Sequence, residues 1–350
     1  MRIWLYDEYN WPSGTCGGFL LRDKPWVRNV VLGGKMLKIR KGESIDVDFE
    51  GDVLLVKAVL ENGKAKDIDD YSIKENSKGR RILWENNLDQ DCTFIIFAKG
   101  VTKGVLPSCT GSSWTWDQQG YLNTLDPRAV KAFLDYIYEE YAKRFGSYFG
   151  SLIPGVFTDE PCLSLESAKE GEACLPFTHG LFEIFRKRKG YDLRDKLHEL
   201  IFDLGDYLKV RYDYWSLVTE VFSESYSKQI RDWCDRHHLN YTGHFLEDET
   251  LYESTRYSGD VYQSAKWMHI PGMDLLRKST SYSEMKNLPS SRDLRLLNIT
   301  AKLTSSTAVH NGSRRVLCEA FGLTGWDLTM EDMKRITDWL CALGINLREC

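Results

Sequence analysis

Residues 126–160 read DPRAVKAFLDYIYEEYAKRFGSYFGSLIPGVFTDE, and inside that span the hydrophobic period changes from helical to extended. Asp126 is placed to cap a helix with Pro127 at its first position, where a missing N–H leaves nothing unbonded. Val130, Phe133, Leu134, Ile137, Tyr138 and Tyr141 then share one face, and Gly146 ends the pattern. Ser151 to Glu160 follows as an apolar strand that closes on Thr158-Asp159-Glu160. A helix handing over to a strand of this kind is half of a βα unit.

The alternation extends outward. Downstream, Leu208, Tyr212, Trp215, Phe222, Tyr226, Ile230 and Trp233 mark a long helix leading into a strand from Leu239 to Phe245. Arg315 to Glu319 reads as another strand, Thr329 with Asp332 as a capping box, and Met333, Ile336, Leu340 and Leu343 as the helix that runs to Gly344. Upstream, the stretch 33–100 has a different texture, with period-two runs such as Ile45-Asp46-Val47-Asp48-Phe49. There Asn62-Gly63 favours a tight type I′ hairpin between its flanking strands.

Strand candidates outside that stretch fall at 2–7, 155–160, 239–244, 272–276, 315–319 and 344–347. A closed (β/α)8 barrel of the TIM type needs eight. The expected fold is therefore α/β, such a barrel incomplete at its N-terminus, with one or two strands upstream of Met1 or unrecognised in the long loops. Residues 1–32 carry its first visible strand, 33–100 an inserted β unit and 101–350 the remainder, in a chain cut from a larger protein. No G-x-G-x-x-G or Walker loop follows any strand, which argues against an open nucleotide-binding sheet and against an organic cofactor.

With 46 Lys+Arg against 51 Asp+Glu, the net charge of −5 leaves no basic stripe for nucleic acid. The most apolar run, 53–60, is interrupted by Lys57 and falls far short of the roughly 20 residues that cross a bilayer. The nine cysteines are an odd set without a C-x-x-C pair and read as reduced and mostly buried. The opening MRIWLYDE lacks the apolar core of a secretory signal, so a cytoplasmic location is expected. Aromatics are abundant, with 11 Trp and 18 Tyr. Trp215 and Trp233 on the helix stripe read as core, whereas the loop residues Trp11, Trp114, Trp116 and Trp326 are candidates to stack on sugar faces.

Four strand candidates end on ionisable groups: Tyr6-Asp7-Glu8, Thr158-Asp159-Glu160, Gly243-His244 followed by Glu247, and Cys318-Glu319. Any one acid there can be a helix cap, but parallel strands bring such ends to one rim. Alternation pairs Thr158 with Glu160 and Leu317 with Glu319, so Glu160 and Glu319 are expected to point inward while Cys318 packs outward. Two or three carboxylates with few histidines suit glycoside hydrolysis, in which one acid protonates the leaving oxygen and another activates water or attacks carbon. No G-x-S-x-G or H-E-x-x-H motif is present, and His237 and His238, being adjacent, splay apart. His244 is expected to bond a sugar hydroxyl or a catalytic carboxylate. Ser13-Gly14-Thr15 reads as a turn rather than an anion site, because no helix pattern begins directly after it.

Taken in order, these pieces resemble glycoside hydrolase family 106, the α-L-rhamnosidases. The resemblance rests on Trp4-Leu5-Tyr6-Asp7-Glu8 with Trp11-Pro12-Ser13-Gly14 and Gly17-Gly18, on Phe157-Thr158-Asp159-Glu160-Pro161, on Gly243-His244 with Glu247, and on Glu319-Ala320-Phe321-Gly322 with Trp326. It spans nearly the whole chain. It implies cleavage of terminal α-L-rhamnose from plant-type glycans, inversion at the anomeric carbon, and a calcium ion assisting sugar binding. Glu160 would be the proton donor and Glu247 or Glu319 the base, which the sequence does not separate. Asp7, Glu8, Trp11, Asp159, His244 and Trp326 are the expected substrate-binding residues, and Glu8, Asp159 and Glu247 the expected metal ligands. The alternative is a non-catalytic carbohydrate-binding protein or an inactive truncated copy of such an enzyme.

Overall fold

A computed structural model describes residues 2–7, 11–76, 79–101, 120–163, 168–246, 250–276 and 294–349. The chain opens with the short strand β1 (Leu5–Tyr6) and continues into the antiparallel strands β2 (Val30–Ile39), β3 (Ser44–Phe49), β4 (Asp52–Leu60), β5 (Ala65–Asp67), β6 (Ser72–Asn76), β7 (Gly79–Glu85) and β8 (Cys92–Val101). A turn at Asn62-Gly63 joins β4 to β5 as expected, but only Gly63 lies in the left-handed region, at φ 80°, so it is not the type I′ turn, which needs both central residues there. Beyond them lie β9 (Gly155–Thr158), β10 (Glu172–Phe177), β11 (Asn240–Gly243), β12 (Ile270–Leu275), β13 (Leu317–Ala320) and β14 (Leu347–Glu349).

Each of the six expected parallel positions holds a strand, and these strands form one sheet in the order β1-β9-β11-β12-β13-β14. Every new strand is added at the same edge, with helices in the connections, as in the winding of a barrel. Closure is where expectation fails. Among the described residues the sheet has six strands, β1 and β14 stand at opposite edges, and the remaining strands are antiparallel and join other sheets, so no eight-stranded ring forms. The other two sheets are β10-β2-β8-β4-β5 and β3-β7-β6. β10 reaches back from residues 172–177 to pair with β2 over six residues, from Glu172↔Lys35 to Phe177↔Val30.

Local signals explain the helices. The Asp126 carboxylate accepts the Arg128 amide, and Pro127 opens the helix Pro127–Tyr136, which is offset at Ile137 from the following helix Tyr138–Phe145. Thr329 and Asp332 form a reciprocal capping box for the helix Met330–Ala342. In the helix Tyr207–Phe222 the buried stripe passes through Val210, Tyr214, Leu217 and Val221, while Leu208 and Tyr212, expected on that stripe, lie out in solvent. No helix among the described residues is long and apolar enough to cross a membrane. Of the seven described cysteines, only Cys341 is exposed.

The parallel sheet has two chemically distinct faces. Leu5, Val156 and Tyr241 are register neighbours that pack with Phe133, Tyr226 and Trp233 of the helical layer. Further along, Met273, Leu275, Cys318 and Ala320 face a second helical core with Ile336 and Leu340. The alternate positions Tyr6, Phe157, Thr242, Gly272, Asp274, Leu317 and Glu319 therefore share the opposite face.

Candidate active site

That second face gathers the acids. Asp274 and Glu319 are direct register partners on β12 and β13, so both carboxylates project to the same side. His244 follows β11 two positions after Thr242 and is fully buried, with its ring edge-on to Phe157 at 5.6 Å between centroids. Its Nε2 lies 2.8 Å from Glu319 Oε2 and 3.7 Å from Asp159 Oδ1. Tyr6 donates its hydroxyl to Asp159 Oδ2 at 2.5 Å, and Trp11 donates its indole N–H to Glu160 Oε2 at 2.5 Å.

Glu160 reaches this cluster by leaving the strand pattern. Alternation alone would put Asp159 on the acid face and Glu160 on the helical one. β9 ends at Thr158, however, and Glu160 adopts a left-handed backbone with φ 49°. For a residue with a Cβ this conformation costs on the order of 1–3 kcal/mol. It brings two consecutive carboxylates to one site.

The charges are sorted by environment. Burial pushes the Glu160 carboxyl up to about 8, a rise opposed by His244 and reinforced by the charges of Asp159 and Asp274. Asp159 is raised as well, by its own burial. Glu319 moves the other way, because its hydrogen bond to His244 holds it below the ordinary range. Burial by itself would discharge His244, but the Glu319 hydrogen bond and the neighbouring Asp159 and Asp274 carboxylates outweigh it and keep the imidazole protonated. The result is a neutral acid at Glu160 beside a charged His244–Glu319 pair.

Of the expected site residues, Trp11, Asp159, Glu160, His244 and Glu319 converge. Glu8 and Glu247 lie outside the described residues, as do Trp114 and Trp116. Trp326 stands fully in solvent after β13, at 106% relative exposure, and reaches no partner in the cluster. Asp7 belongs to the helical face: it is 0% exposed, accepts Ser13 Oγ–H at 2.5 Å and Tyr138 Oη–H at 2.6 Å, and is sealed from any substrate. Strand parity is the reason, since Asp7 falls in step with Leu5 while Tyr6 takes the open side. Sequence reasoning passed over Tyr6 and Asp274. The signal for Asp274 was available, because it is the acid near the end of the strand expected at 272–276.

Calcium binds about six to eight oxygens, from carboxylates, carbonyls and water. Two groups of metal-ligating side chains among the described residues have atoms within 4.8 Å of one another, Asp159–His244–Glu319 and Glu160–His244–Asp274. Both are centred on His244, which already bonds Glu319 and carries the positive charge that balances these acids. That donor set does not fit a hard divalent cation. Of the expected ligands, only Asp159 is among the described residues.

No family model matches the chain, and no curated protein does. Among solved structures it is similar to a rhamnosidase from Novosphingobium sp. PP1Y, with a TM-score of 0.56 and 18% sequence identity, over 84% of this chain and 26% of that one. The chain thus spans about a quarter of the length of the protein it matches, and at this identity the likeness is one of fold.

Proposed function

We propose that the chain is a glycoside hydrolase that cleaves α-L-rhamnosides or similar terminal sugars of plant-type glycans with inversion, using Glu160 as general acid and Glu319 as general base. The observation that carries this reading is the division of labour between the two carboxyls: Glu160 is held neutral up to about pH 8 and Glu319 is held ionised by His244. Opposed protonation states of neighbouring acids identify the roles. The fold likeness to a rhamnosidase supports the sugar class.

In this mechanism Glu160 passes its proton to the glycosidic oxygen as the carbon–oxygen bond breaks. Glu319 takes a proton from the water that attacks the anomeric carbon from the other side. Under inversion Asp274 would not serve as the opposing base, because its carboxylate lies within 4.8 Å of Glu160 and an intervening water needs roughly 6.5–9.5 Å between the carboxyls. His244 keeps Glu319 ionised, and Tyr6 orients Asp159. Calcium enters no step.

The test is Glu160→Gln, which keeps the shape and removes the proton. On a rhamnoside with an unactivated alkyl aglycone, turnover should fall by roughly 10²- to 10⁴-fold in a protein that remains folded. Undiminished turnover overturns the assignment of Glu160. NMR of the first sugar released should show the anomer opposite to that of the substrate, and a panel of aryl glycosides identifies the sugar. Binding of those glycosides by the wild type without hydrolysis would mark a carbohydrate-binding protein instead.

A further inference from the structure

The backbone of the loop that carries Trp11 is stitched to the turn that carries Glu160 through Ser13. Its backbone N–H donates to the Asp159 carbonyl at 2.7 Å, and its hydroxyl accepts the Asp159 N–H at 2.8 Å. The same hydroxyl donates to the buried Asp7, whose other oxygen accepts from Tyr138 on the helical layer. The Ser13 carbonyl in turn accepts the Tyr121 hydroxyl. Ser13 is 0% exposed, so water does not substitute for any of these bonds. A hydroxyl has one proton, and Asp7 fixes where it points; the lone pairs are thereby left for the Asp159 amide. Glu160 is the next residue and holds its left-handed conformation directly after this bracket, with its carboxyl on the indole of Trp11 two residues before Ser13.

We propose that Ser13, oriented by Asp7, is a positioning residue that sets the backbone at Asp159 and so aims the Glu160 carboxyl at the glycosidic oxygen. The inference rests on the reading of Glu160 as general acid. It gives Asp7 and the Ser13-Gly14-Thr15 turn a role that neither substrate contact nor chain reversal supplies.

The test compares two leaving groups in purified, folded Ser13→Ala. A misaimed acid matters only where the leaving oxygen needs a proton. The variant should therefore lose about 100-fold in kcat on an alkyl rhamnoside, a loss of the size expected for an ångström of misplacement. On a dinitrophenyl rhamnoside it should retain kcat to within a few-fold, with KM nearly unchanged on both. A purely structural role would depress both substrates alike, and that equal loss, or full activity on both, overturns the proposal. Should Ser13→Ala not yield folded protein, Ser13→Cys, close in size and a weak acceptor, is read against the same criterion. Glu160→Gln run alongside separates the two ideas. If it keeps full activity on the alkyl substrate the acid assignment fails, and if it is inactive there while Ser13→Ala is unaffected only the positioning role fails.

Discussion

Two carboxyls on the two faces of one sheet, Asp7 and Glu160, are both driven up by burial, to about 7 and about 8. In each case the folded state holds a proton that the unfolded chain has released. Such a group contributes fully below the unfolded carboxyl range, near about pH 4, and its contribution is lost as pH rises through the folded value. Stability should therefore fall between about pH 5 and 8, at up to roughly 1.4 kcal/mol per pH unit for each group. Asp7→Asn is neutral throughout, and thermal melts at a series of pH values should show a shallower decline than in the wild type. Parallel curves for the two proteins would contradict the buried acid. Activity follows the same residues. The alkaline limb of kcat/KM should sit near the Glu160 value of about 8, since only its protonated form donates. The acidic limb belongs to Glu319, whose ionisation depends on the His244 hydrogen bond. His244→Gln removes that cation, so the acidic limb should move to higher pH; a limb that stays put would dissociate His244 from the base.

The strands and their ends decide which residues meet. β9 and β11 run side by side with Gly243 opposite Thr158. Gly243 has φ 141°, and a Cβ there would stand 2.0 Å from the Thr158 carbonyl oxygen. Gly243→Ala should cost roughly 3 kcal/mol or more, read as a lower urea midpoint, because neither backbone has room to give. It should also displace His244, the next residue, and depress turnover in whatever folded protein remains. At this scale much was legible in advance. Period, capping residues and the Asn62-Gly63 turn are local signals, and the strands and caps they imply are present. Faces were less legible. Where the strand parity holds, as at Glu319 and Cys318, alternation suffices; at Asp7 it had to be anchored on Leu5 to reveal the helical side, and at Glu160 it is overridden by one left-handed residue. Non-glycine residues rarely adopt that conformation, and no pattern in neighbouring residues announces it.

At the scale of the molecule, closure was not legible, because strand count and helix alternation are shared by open and closed parallel sheets. What the pattern also concealed is that β2 and β8 serve two cores. Leu32, Ile95 and Phe97 pack into the large core with the helical layer, while Ile39, Phe94 and Ile96 pack between the antiparallel sheets. Phe94 and Phe97 are both fully buried, on opposite faces of the same strand. β10 adds a second tie, since it pairs with β2 from beyond residue 101. Unfolding either core therefore strips one face of β8 and exposes the other, so the antiparallel strands and the helical layer should melt together. Phe94→Ala and Phe97→Ala should each cost about 3–5 kcal/mol, and each should shift one common transition seen by far-UV circular dichroism and by tryptophan fluorescence. If Phe94→Ala instead split the melt in two, with the large core unfolding at its wild-type temperature, β8 would not be the mechanical link between the layers.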